Sequence, residues 1–122
     1  MPLVVVKHKA GRILPGMLEK LGQAMPEIVA SALDVKENPE AHLTAEDVEV
    51  WIRESGPYDI NVKDLEIVIW ANTYPERLAN LSDRKEAILQ GLLKFLGDFD
   101  RNLSGFVWVL LQPGAFGVIP EI

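Results

Sequence analysis

Met1-Pro2-Leu3-Val4-Val5-Val6 opens the chain, and the reading of this stretch decides the fold. Leu3–Val6 is a short, apolar, β-branched run, the pattern of a fully buried strand. Proline behind an initiator methionine is small enough for the methionine usually to be trimmed. What remains is a secondary amine fixed to the end of a core strand. An ordinary α-amine titrates at about 7.7–8.0, and burial or nearby cations lower that value by disfavouring the ammonium form. A neutral amine held rigidly is a proton-transfer base. Proline is also a common first residue of an edge strand. Taken alone, Pro2 is structural; the rest of the chain has to add the chemistry.

The 122 residues suit a single domain, 1–122, with a real core. With 48% apolar and 25% charged residues the balance is globular. A net charge of −6 without a basic stripe argues against nucleic acid. There is no cysteine, so disulfides and thiolate chemistry are excluded, and His8 and His42 alone make a poor metal site. No metal and no cofactor are expected. No apolar run is long enough to span a membrane, and the opening run lacks a signal-peptide cleavage pattern. A soluble cytoplasmic protein is the expectation.

Beyond Val6 the chain passes Lys7-His8-Lys9 and turns at Ala10-Gly11-Arg12. His8, flanked by lysines, is expected at an exposed or edge position. A helix follows with Pro15 in its first turn, and Met17, Leu18, Leu21, Met25, Ile28, Val29 and Leu33 give it one apolar face. Pro26 should kink or divide it, because its ring clashes with the carbonyl four residues back. Asp34–Glu40 is a solvated acidic loop, and Thr44-Ala45-Glu46-Asp47 resembles a capping box. Val48–Ile52 alternates like a strand with one buried face, and Ser55–Lys63 is rich in turn residues. Leu65–Ala71 is the strongest strand. Asn72–Arg77 leaves it as a loop. A second amphipathic helix starts near Asn80 or Ser82, with Ile88, Leu89, Leu92, Leu93 and Leu96 inward and Asp83, Glu86, Lys94 and Asp98 towards water. Phe106–Leu111 is the last strand, and Pro113–Gly117 turns the tail away.

The order strand, helix, strand therefore occurs twice, as pseudo-repeats of roughly 1–60 and 61–122. Leu3 and Leu65 open the halves, and Val50-Trp51-Ile52 matches Val107-Trp108-Val109. Two βαβ units predict an α/β fold: a four-stranded sheet with both helices on one face. The other face carries Trp, Val and Ile and cannot stay wet. Cyclic assembly with further copies would cover it, with Trp51, Trp70 and Trp108 as core or interface residues.

Arg12 follows the first strand and Arg77 the third, and ligands of open α/β sheets sit beyond strand carboxyl ends. A guanidinium fork suits a carboxylate. Pro2, at the opposite end of its strand from Arg12, should face the end where Arg77 emerges; Arg12 could serve a neighbouring subunit. Each arginine alone reads better as a solvated helix-start residue; the pairing with a terminal proline is what raises the functional reading. Asn72 and Tyr74 share Arg77's loop and could donate to a carbonyl. Phe116 could close a pocket or pin the tail. Glu66, inside an apolar strand, is either exposed or paired to a cation.

Pro2 behind Met1, a strand ending in Gly11-Arg12 before a helix, two consecutive βαβ units, and the segment Asp64–Leu96 with Pro75-Glu76-Arg77 and Arg84-Lys85 together resemble the tautomerase superfamily. The length fits its branch with two fused units, which includes malonate semialdehyde decarboxylase and the macrophage-inhibitory-factor group. The resemblance implies a homotrimer with sites near subunit interfaces. It also implies Pro2 as the catalytic acid or base and arginines holding a small carboxylate substrate, an enol or 2-hydroxy-dienoate. Arg77 is then the main substrate-binding residue, followed by Arg12, Asn72 and Tyr74. No acidic residue is assignable as a water activator, so tautomerisation is expected ahead of hydrolytic dehalogenation. The alternatives are a non-catalytic trimer of the same fold and a ligand-binding or assembly domain with an antiparallel βαββαβ sheet.

Overall fold

The computed structural model describes residues 1–97 and 102–120. Four strands form one sheet in the order β2-β1-β3-β4: β1 is Leu3–His8, β2 Glu49–Glu54, β3 Leu65–Asn72 and β4 Gly105–Gln112. β1 runs parallel to β2 and β3 parallel to β4, whereas the central pair β1–β3 is antiparallel. Two parallel pairs rule out the antiparallel alternative. The helices are α1 (Pro15–Leu33), the short α2 (Pro75–Ala79) and α3 (Leu81–Leu96). A 3₁₀ turn at Ala45–Asp47 leads into β2 and carries the expected capping box, in which the Asp47 carboxylate accepts the Thr44 N–H at 2.8 Å.

Alternation along each strand sorts the side chains onto two faces. Val4, Val6, Ile67, Ile69 and Val109 lie under the helices with Leu21, Met25, Val29, Leu33, Ile88 and Leu92, all buried. Burying one such side chain stabilises by about 1.5–3 kcal/mol, so this layer drives the fold. α1 is not divided at Pro26. Its buried positions Leu21, Met25, Val29 and Leu33 straddle the proline, and their packing holds the turns on either side together. On α3 the apolar face is narrower than its periodicity implies, since Leu93 is 49% exposed. Asp98 falls outside the described residues. Gly105 is required where β4 meets β3, because a Cβ there would collide with the Leu65 carbonyl.

Three sequence expectations change. His8 is buried rather than exposed: β1 is an interior strand, and alternation puts His8 on the helix side with Val4 and Val6. Part of the Asn72–Arg77 loop is helical, as α2. The facing pairs Val5–Val68, Val5–Trp51 and Val68–Trp108 align the two halves, which makes Leu65 the counterpart of Pro2 rather than of Leu3. Leu3 and Leu65 point to opposite faces. No helix among the described residues is long and apolar enough to cross a membrane.

Candidate functional site

Because β3 and β4 run against β1, their carboxyl ends arrive beside its start. Leu3 pairs with Trp70, and Asn72 with Gln112. Pro2 lies in the hydrogen-bonded layer at that end: its side chain is fully buried, and its carbonyl accepts the Glu49 N–H at 3.0 Å. Joined to Met1, its nitrogen is a tertiary amide with no basicity; only removal of Met1 makes it a secondary amine. Pro2, Asn72, Tyr74 and Arg77 therefore gather at one end of the sheet. Arg12 lies at the other, with Nε 3.5 Å from Asp64 Oδ2. The Ser104 N–H donates to that carboxylate at 2.9 Å and, outweighing desolvation and helped by Arg12, holds the Asp64 carboxyl below its usual range.

Arg77 is not presented as an open fork. It is 2% exposed, and its Nε, Nη1 and Nη2 donate to the carbonyls of Leu33, Asn72 and Ala41 at 2.9, 3.0 and 3.1 Å. The reason lies in α1. The last carbonyls of a helix have no partner within it, and this helix ends in extended backbone at Asp34, with no glycine to close it. Arg84 completes the arrangement, its Nη1 reaching Asp34 O at 2.9 Å and Ala32 O at 3.2 Å. Two cations over a helix carboxyl terminus are also favoured by its dipole. Burial pushes the Arg77 pKa down, opposed by Tyr74, Asp34 and Glu76. Tyr74 supports the same junction: its ring lies 5.0 Å from the Arg77 guanidinium carbon, and its hydroxyl donates to Glu40 O at 3.2 Å. The donors expected to clamp a substrate carboxylate are thus engaged within the protomer. The one sequence signal is a helix that stops without a glycine and so leaves carbonyls open; it does not say which donors reach them.

The sheet face away from the helices is open. Trp51, Val5, Val68 and Trp108 form one row across it, with Trp51 46% and Trp108 56% exposed. Trp51 donates its indole N–H to Glu49 at 2.6 Å, and Arg53 stacks on its ring at 4.5 Å. Beyond Gln112 the tail exposes Phe116, 65% accessible. Asn72 shares the open face and is half-buried; a Cβ at Gly114 would lie 3.4 Å from its Oδ1. A depression of about 440 Å³ between α3 and β4, and one of about 410 Å³ at the far end of β1, are not lined by Pro2.

Two parallel strand pairs joined back to back, with helices on one face only, form a tautomerase-like fold. The solved structures that share it include 5-carboxymethyl-2-hydroxymuconate delta-isomerase, with a TM-score of 0.65 at 12% identity over 100% of this chain and 88% of that one. Malonate semialdehyde decarboxylase gives a TM-score of 0.63 at 14% identity, covering 95% and 91% of the two chains. A fused 4-OT described as a symmetric trimer gives 0.61 at 18% identity, covering 98% and 94%. No model of a known protein family matches the chain, and no curated protein does.

Proposed function

We propose that the protein is a homotrimer that moves a proton between oxygen and carbon of a small carboxylated enol or 2-hydroxy-dienoate, with Pro2 as the base. The observation that carries this reading is the placement of Pro2: fully buried, at the start of an interior strand, at the sheet end where Asn72 and Gln112 arrive. Once Met1 is removed, the nitrogen is a secondary amine with low-dielectric surroundings that favour its neutral form. It accepts the enol proton and returns it to carbon. Asn72 donates to the developing carbonyl. Arg77 and Tyr74 fix the junction that carries Asn72, and the Arg77 charge favours an anion at this end from behind. Arg12 of a neighbouring copy supplies direct contact to the carboxylate. The exposed tryptophans of the open face support assembly, as does the likeness to a fused 4-OT trimer.

Intact mass decides whether Met1 is removed. With it removed, Pro2→Ala should lower turnover of 2-hydroxymuconate or phenylenolpyruvate by about 10²–10⁴, with sedimentation as a trimer unchanged. Undiminished turnover removes proline from the mechanism. The engaged donors of Arg77 favour one second reading, a trimer of this fold without catalysis; retained Met1 would select it.

A further inference from the structure

The far end of β1 contrasts with the Pro2 end, and it lies outside the proposed reaction. The loop Ser55–Lys63 folds beside the row Arg53, Lys7 and Glu66, which are register partners across β2, β1 and β3. Together they enclose the depression of about 410 Å³, within the range of small-molecule sites. Lys7 and Lys63 line it and make no ion pair or side-chain hydrogen bond with any described residue. Among the described residues, Arg53 reaches only the Ile52 carbonyl at 3.0 Å and the Trp51 ring, which leaves most of its N–H donors open.

The acidic residues of the same wall are differently placed. Glu66 already accepts the Lys63 N–H at 3.0 Å and Asp59 the Gly56 N–H at 2.6 Å. Glu54 remains exposed at the rim. The lining thus balances three cations against three carboxylates, and two of the carboxylates already accept a backbone N–H while the cations keep open donors. His8 lines the depression too. It is 8% exposed, and its Nδ1 is the one buried side-chain nitrogen among the described residues without a hydrogen-bond partner. Ile60 and Val62 add apolar wall.

We infer that this depression binds a small carboxylate with an apolar body, held by Lys7, Arg53 and Lys63, at the end of β1 opposite Pro2 of the same protomer. Five residues of strand at about 3.3 Å each put Lys7 roughly 16 Å from Pro2 within the protomer. The inference stands whether or not Pro2 is a base.

Benzoate is a suitable probe, titrated into the full-length protein at about 0.15 M salt, where exposed charges are screened beyond about 8 Å. Amide NMR shifts should saturate and stay within Lys7–His8, Arg53–Ser55 and Asp59–Glu66. Lys63→Ala and Arg53→Ala should each weaken binding about fivefold or more, as expected for loss of a charge-assisted contact. Pro2→Ala should bind benzoate as the parent does. Shifts that do not saturate, that scatter over surface lysines, or that centre on Pro2, Asn72 and Gln112 overturn the inference. So does undiminished binding by both cation variants.

Discussion

The two ends of β1 use cations in opposite ways. At the Pro2 end, Arg77 and Arg84 are tied to six backbone carbonyls, those of Leu33, Asn72, Ala41, Ala32, Asp34 and Glu76. At the His8 end, Lys7, Arg53 and Lys63 surround a depression with few contacts of their own. Residue type does not separate the two groups. What separates them is whether a helix stops nearby with unpartnered carbonyls. A guanidinium buried against such a terminus is structural; a cation on a strand row beside an open loop remains available to a ligand.

Arg77→Ala breaks this comparison most severely. Three buried or half-buried carbonyls lose a charged donor, and the expected loss is about 3–5 kcal/mol, read from urea unfolding. A stability close to the parent's, with only KM altered, would return Arg77 to the role of substrate clamp. Arg84→Ala removes contacts that are only partly buried and should cost about 1–2 kcal/mol. Arg53→Ala at the other end should stay within about 0.5 kcal/mol of the parent. An equal cost at both ends would erase the distinction.

The smallest effect is a pH dependence at Asp34. Burial acts to raise its pKa, but the Leu43 N–H and His42 Nδ1, both 2.8 Å from Oδ1, outweigh it and hold the carboxyl below its ordinary value. A depressed folded-state pKa contributes stability above the unfolded value, about 3.9, that is lost as pH falls through the folded value. The unfolding midpoint of the parent should therefore drop more steeply below about pH 4 than that of Asp34→Asn. Parallel curves would show that the pair does not hold the 34–43 loop.

Strands were the most legible part of the chain. Leu65–Ala71 and Phe106–Leu111 each fall within one residue per end of β3 and β4, because an uninterrupted β-branched or aromatic run has few other ways to bury itself. α2 was missed, since five residues starting at Pro75 leave no periodicity to detect. His8 was misplaced because its flanking lysines describe the neighbours' face. Its own burial follows from β1 having strands on both sides.

Within the candidate site, Pro2 and its approach to the Asn72 end were legible, because antiparallel joining of two βαβ units dictates which strand ends meet. The state of Arg77 was not. Local sequence determined the elements, their order and the amphipathic faces, since each is set by residues a few positions apart. Only the tertiary structure decided which cations are committed, because the carbonyls that hold Arg77 lie as far as 44 residues away along the chain. Hydrogen bonds across such separations exist only once the layers have packed.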